Sequence, residues 1–270
     1  MKKAMTLLLQ PILLVPLVVT AVLVATGAPA RSGGATVGAA APPTALVEQG
    51  RELYLVGCTS CHGIDGQGLE APDGDQRGPS IVNAGAASAY YYLTTGRMPL
   101  ASSEDLPLRK DPAYGRREIE ALVAYVGSLG DGPGIPAVDS AAGDLAGGGE
   151  LYRANCQACH SAAGAGGALS YGRAAPALAK ATATQIGAAM RVGPGQMPVF
   201  GADALTPDEV NSIARYVRYL EDPDDRGGIA LGRLGPIPEG FLIWVFGMGA
   251  LLVICTLIGK RAKDRAEVGP

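Results

Sequence analysis

The chain has 270 residues, a net charge of −3 and 48% hydrophobic residues. That is enough for one large domain or two small ones, and the charge offers no basic footprint for nucleic acid. The one Trp and two of the three Phe lie together near the C-terminus (Phe241, Trp244, Phe246), which leaves ten Tyr and one Phe for everything else. Two packed domains made from that stock would have thin cores, because small domains bury proportionally little surface.

Lys2 and Lys3 precede a run without charge from Ala4 to Ala28. Ala28-Pro29-Ala30 has the form of a signal-peptide cleavage site. The run is nevertheless longer than the ~7–15 residue apolar region usual in such signals, which favours a retained anchor helix. Either reading of residues 1–30 exports the domains C-terminal to it. Residues 31–43 read as a flexible stem.

The segment GRELYLVGCTSCHG at residues 50–63 recurs as GGELYRANCQACHS at 148–161. Further matches keep the same order: Gly78-Pro79-Ser80-Ile81 with Ala175-Pro176-Ala177-Leu178, and Gly96-Arg97-Met98-Pro99 with Gly195-Gln196-Met197-Pro198. An amphipathic helix closes each copy. Ile119, Leu122, Val123 and Val126 follow the i, i+3, i+4, i+7 spacing, as do Val210, Ile213, Ala214 and Val217. Thr206-Pro207-Asp208-Glu209 is a capping-box start with Pro at the first helical position. The repeat divides the soluble part into a domain at 44–129, a Gly-, Ala- and Pro-rich linker at 130–145 and a second domain at 146–226. No strand-like alternation is evident, so both domains are expected to be helical with long loops.

Residues 227–238 lead into a segment at 239–259, whose charge-free stretch from Phe241 to Ile258 spans roughly 27 Å as a helix at ~1.5 Å per residue. Phe241 and Trp244 stand where interfacial aromatics gather, and Lys260, Arg261, Lys263 and Arg265 follow in the 260–270 tail. The positive-inside rule puts that tail in the cytoplasm and the two domains on the other side of the membrane. Cys255, inside the span, reads as a small buried hydrophobe.

Cys58, Cys61 and His62, and again Cys156, Cys159 and His160, carry the chemistry. A CxxC alone could be a redox dithiol or half a zinc site. The adjacent His makes it the attachment pattern of a c-type haem: two thiols add to the two vinyl groups of one porphyrin, and the next side chain reaches the iron. The chain has only two His, both in these units. Each CxxCH therefore lacks a fourth ligand for zinc, and bis-His haem is impossible within the chain. A βαβ context for a thioredoxin-like dithiol is not visible. Of six Met, three lie in the terminal apolar runs. Met98 and Met197 each precede a Pro and follow their His by 36 and 37 residues, so they are the expected sixth ligands, and Met190 is expected to pack in a core. Two covalently bound haems c would also supply the missing core, so neither domain is expected to fold stably without haem. With both irons six-coordinate no position is open for a substrate, which favours electron transfer over a substrate-converting site. Tyr90-Tyr91-Tyr92 reads as haem-edge packing and helix surface.

The CxxCH, the Gly-Pro or Ala-Pro loop and the Gly-x-Met-Pro segment resemble the class I cytochrome c fold, over nearly all the soluble part. That resemblance implies that the carbonyls of Pro79 and Pro176 hold the imidazoles of His62 and His160. It also implies that Gly50 with Tyr54, and Gly148 with Tyr152, mark where the first helix of each domain crosses the last. Two such domains ahead of a C-terminal anchor resemble the dihaem cytochrome cc subunit of the menaquinol–cytochrome c reductase (bcc complex) of high-GC Gram-positive bacteria. The resemblance implies a cytochrome b subunit, a Rieske iron–sulfur subunit and a haem–copper oxidase as partners. It further implies that the Rieske centre reduces the haem of the first domain and that the second passes electrons to the oxidase. The competing reading is a stand-alone membrane-tethered dihaem carrier. A haem sensor is a third, and it would need an exchangeable axial ligand.

Overall fold

The computed structural model describes residues 43–72, 74–224 and 236–267. The N-terminal apolar run, the stem up to residue 42 and most of the 227–238 lead-in lie outside them.

Among the described residues helices dominate, in the order α1 (Pro43–Gly57), α2 (Thr59–His62), α3 (Gly85–Thr94), α4 (Arg116–Gly127), α5 (Leu145–Asn155), α6 (Gln157–His160), α7 (Ala183–Val192), α8 (Pro207–Glu221) and α9 (Pro236–Glu267). The first four build one domain and the next four repeat it. In each, the first and last long helices cross: α1 on α4, and α5 on α8. Glycine makes both crossings possible. A Cβ at Gly50 would collide with the Ala121 carbonyl oxygen, and one at Gly148 with the Ser212 carbonyl oxygen. Beside each crossing an aromatic pair packs, Tyr54 with Tyr125 at 5.0 Å between ring centroids and Tyr152 with Tyr216 at 5.3 Å.

The helix ends follow their sequence signals. Thr206 and Glu209 form a reciprocal cap on α8: the hydroxyl accepts from Glu209 N–H at 3.3 Å and the carboxylate accepts from Thr206 N–H at 2.8 Å, with Pro207 opening the helix. At α4 the Glu118 carboxylate accepts from Gly115 N–H at 2.7 Å. The apolar faces of both helices are buried as their spacing requires, with Ile119, Leu122, Val123 and Val126 in one core and Val210, Ile213, Ala214 and Val217 in the other.

Two features depart from the sequence reading. A small antiparallel ribbon follows each CxxCH: β1 (Leu69–Glu70) with β2 (Gln76–Gly78), and β3 (Gly167–Ala168) with β4 (Ala174–Ala175). Strands of two or three residues cannot display a period-2 pattern, so nothing in the sequence announces them. The second departure is the tyrosine triplet. Tyr91 is buried together with Ala87 of α3 and Ala188 of α7, and Tyr90, Tyr92, Ala189 and Val192 pack around them. The middle tyrosine thus belongs to a seam between the two domains rather than to a helix surface.

The linker is tied to both sides of that seam. Asn83 Oδ1 accepts from Asp131 N–H at 2.9 Å, Pro133 C=O accepts from Ala87 N–H at 2.9 Å, and Asn211 Oδ1 accepts from Asp139 N–H at 2.9 Å.

Within α9, Glu239–Arg261 is long and apolar enough to cross a membrane, with a mean hydropathy of 2.6 and none of its most apolar window buried. Cys255 lies among the apolar residues that α9 presents outward instead of into a protein core.

Candidate haem-attachment sites

Each CxxCH sits at a corner where the first helix of its domain stops. Cys58 caps the one-turn helix α2 and His62 is its last residue. Cys156 and His160 occupy the same places around α6. Three-residue spacing on a helical turn puts both cysteines on one face. All four thiols are free. Burial, and then the neighbouring thiol, push Cys58 and Cys156 up to about 11. Burial of the first cysteine of each pair thus disfavours its thiolate.

The histidines are fixed by hydrogen bonds that determine their tautomer. His62 Nδ1 lies 2.8 Å from Pro79 C=O, and His160 Nδ1 lies 3.0 Å from Pro176 C=O. A carbonyl oxygen only accepts, so Nδ1 must carry the proton and Nε2 keeps its lone pair. That is the arrangement of a metal-ligating imidazole with its outer hydrogen bond already made. Burial holds His160 below its ordinary range, which keeps the ring neutral, and the bond to Pro176 opposes that shift only in part.

The turn after each His is pinned from behind. Tyr54 Oη–H donates to Gly63 C=O at 2.7 Å, and Tyr152 Oη–H donates to Ser161 C=O at 2.7 Å. Gly63 and Ser161 both have positive φ, 77° and 63°. Tyr54 is pushed up to about 12 and Tyr152 is raised as well, both chiefly by burial, so both phenols remain donors.

Met98 and Met197 are half-buried. Met98 packs against the same apolar cluster as Cys58, and Met197 against the same cluster as Cys156. Met98 hangs from the end of α3, with its N–H donating to Tyr92 C=O at 3.2 Å. The loop that carries Met197 returns to α7 through Phe200 N–H, which donates to Met190 C=O at 2.8 Å. Met190 itself is 2% exposed and packs in the core.

These residues fit a covalently held haem. Each site offers two free thiols on one face of a turn, an imidazole with Nε2 available, and a thioether against the same apolar cluster. Each cluster of buried hydrophobic residues numbers only eight, small enough that a porphyrin would be a large addition to it. Among the described residues no three His, Cys, Asp or Glu side chains converge as a metal-binding group of their own.

Sequence reasoning missed the polar residues of the seam. Gln185, 6% exposed, donates through Nε2 to Thr94 Oγ1 at 3.1 Å and accepts at Oε1 from Arg109 Nη2 at 3.1 Å. Arg109 also donates to Lys180 C=O at 2.7 Å. Contacts between domains leave no periodic trace in either one.

Fold and sites together define a protein of two tandem cytochrome c domains with a candidate membrane helix at the C-terminal end. Residues 47–130 match the family described as "Cytochrome c", and residues 143–217 match "Cytochrome C oxidase, cbb3-type, subunit III". The curated "Cytochrome bc1 complex cytochrome c subunit" of Mycobacterium leprae is 40% identical over 227 residues, covering 81% of this chain and 77% of that one. The protein of the same description from Corynebacterium diphtheriae is 37% identical over 235 residues, covering 81% and 82%. Among solved structures, reduced recombinant cytochrome c4 from Pseudomonas stutzeri aligns with 64% of this chain and 97% of that one at 23% identity, with a TM-score of 0.24. The chain belongs to the family of cytochrome c subunits of the cytochrome bc1 complex.

Proposed function

We propose that the chain is the membrane-anchored dihaem electron carrier of a quinol–cytochrome c reductase, taking electrons from a Rieske iron–sulfur centre and delivering them to a haem–copper terminal oxidase. The observation that carries this reading is the duplicated CxxCH, each with its His fixed to a proline carbonyl, in a chain 40% identical to a cytochrome bc1 complex subunit over most of its length.

Cys58 and Cys61 would hold the first haem by thioether bonds, and Cys156 and Cys159 the second. His62 with Met98, and His160 with Met197, would hold the iron of each. Haem c, when bound, supplies a reversible one-electron iron couple. Pro79 and Pro176 keep the imidazoles oriented and raise their basicity. The Met98 and Met197 thioethers would favour a high potential and would leave no place for a substrate. The first domain faces the Rieske subunit and the second faces the oxidase. The basic cluster at Lys260, Arg261, Lys263 and Arg265 after the candidate span puts the C-terminus in the cytoplasm and both haem domains outside it.

The test begins with native membranes, solubilised in mild detergent and passed over a tag on this chain. Co-purification of a cytochrome b, a Rieske protein and oxidase subunits is the expected result. Recovery of the chain alone, or with a dehydrogenase, would make it a tethered carrier instead. A pyridine haemochrome assay checks the sites directly. Native protein should hold two haems c per chain, and replacing either Cys pair by Ser should leave one.

A further inference from the structure

Arg97 stands immediately before Met98 and departs from the repeat. Its counterpart, Gln196, is a neutral, exposed side chain. Arg97 is half-buried and held in place: its N–H donates to Tyr92 C=O at 2.9 Å, its Nη1 donates to Pro107 C=O at 2.6 Å, and its guanidinium carbon lies 5.4 Å from the centroid of the Tyr91 ring. None of the ion pairs among the described residues includes it. Its Nε is buried, and among the described residues it is the buried side-chain nitrogen or oxygen that has no hydrogen-bond partner.

The neighbouring charges have other attachments. Arg109 reaches across the seam to Lys180 and Gln185, and Lys110 Nζ donates to Pro99 C=O at 2.8 Å. Asp105, in the same loop, is exposed and accepts from Ser102 N–H at 3.0 Å. A guanidinium fixed by stacking and one carbonyl, with a buried N–H left over and no ion pair to a carboxylate among the described residues, is a site for an anionic group. Haem carries two propionate carboxylates, and Met98 would bring the porphyrin to the residue next to Arg97.

We propose that Arg97 binds a propionate of the first haem through its Nε–H edge, and that the second haem has no equivalent partner at Gln196. This rests on Met98 as the ligand of the first haem. A fixed cation beside one haem favours its ferrous form, so Arg97 separates two otherwise repeated sites electrostatically. Lys at this position would keep the charge but lose the planar fork that meets a carboxylate.

The experiment uses the full-length dihaem protein in detergent, with Arg97→Gln and Arg97→Lys. Potentiometric titration followed by resonance Raman separates the two haems and reads the propionate-bending band of each. In Arg97→Gln the first-haem potential should fall and its propionate band shift, with the second haem unmoved. In Arg97→Lys the potential should stay near native while the band shifts. An unmoved first-haem propionate band in both variants would overturn the proposal. If Arg97→Gln does not accumulate as a dihaem protein, an unmoved band in Arg97→Lys alone would do so. Haem count and the methionine–iron charge-transfer band, read on the same samples and in Met98→Ala, test the ligand assignment separately from the role of Arg97.

Discussion

Ser161 and Gly63 occupy equivalent positions, yet only one is a glycine. At φ 63° and ψ 166°, Ser161 lies in a region that essentially only glycine enters freely, at a cost of roughly 1–3 kcal/mol. Its hydroxyl returns part of that by accepting from Ala165 N–H at 3.1 Å. Ser161→Gly is therefore expected to stabilise the second domain by a net of about 1 kcal/mol, read as a raised denaturation midpoint. Tyr152→Phe removes the donor to the Ser161 carbonyl and should cost about 1 kcal/mol in the same assay, with haem content unchanged. Both tyrosines were legible in the sequence because the repeat aligns them; the strain at Ser161 was not, since a φ angle is set by how the turn is held from both sides.

The helices are where sequence signals translated most directly. Thr206 and Glu209 announce the start of α8, and the structure makes the cap reciprocal. Thr206→Ala should cost about 1 kcal/mol at neutral pH. The Thr206 backbone N–H, and then its hydroxyl, hold Glu209 below its ordinary range. That contribution is complete above the carboxyl's ordinary pKa and is lost as pH falls through the lowered value. The difference between native and Thr206→Ala should accordingly narrow on the acid side, in denaturation curves taken across that range. The helix crossings make a sharper demand. A methyl at Gly148 has no space against the Ser212 carbonyl, so Gly148→Ala should destabilise by about 1–3 kcal/mol, the cost of an overpacked contact. Gly134→Ala, where a Cβ would meet nothing within 4 Å, is the control and should stay within about 0.5 kcal/mol of native.

At the scale of the molecule, the seam between α3 and α7 makes the two haem domains one body. Tyr91 and Ala188 supply its apolar part and the Thr94–Gln185–Arg109 bonds its polar part. Gln185→Ala removes the one side chain that bonds both the partly buried Thr94 hydroxyl and the exposed Arg109 guanidinium, each of which keeps a carbonyl partner, and the lost hydrogen bonds should cost about 1 kcal/mol. Native holoprotein should unfold in a single calorimetric transition, and Gln185→Ala should split it into two. Haem removal is the larger test at this scale. With eight buried hydrophobic residues in each main cluster, blocking thioether formation at either CxxCH should leave that domain without a cooperative transition in the calorimeter.

The amino-acid sequence determined the repeat, the two CxxCH units, the ends of the capped helices and the apolar C-terminal segment, because each is written in spacing: three residues for a turn, seven for a helix face, eighteen for a span. Through the repeat it also pointed to Met98 and Met197, ahead of Met190, as the expected sixth ligands. Only the tertiary structure decided where Tyr91 goes, what Gln185 and Arg109 hold, how the linker is tied down and that Arg97 has a buried N–H to spare. Those outcomes depend on which surfaces of two independently patterned domains meet. Such a meeting joins residues some 90 positions apart, such as Thr94 and Gln185, and no local pattern in either domain encodes it.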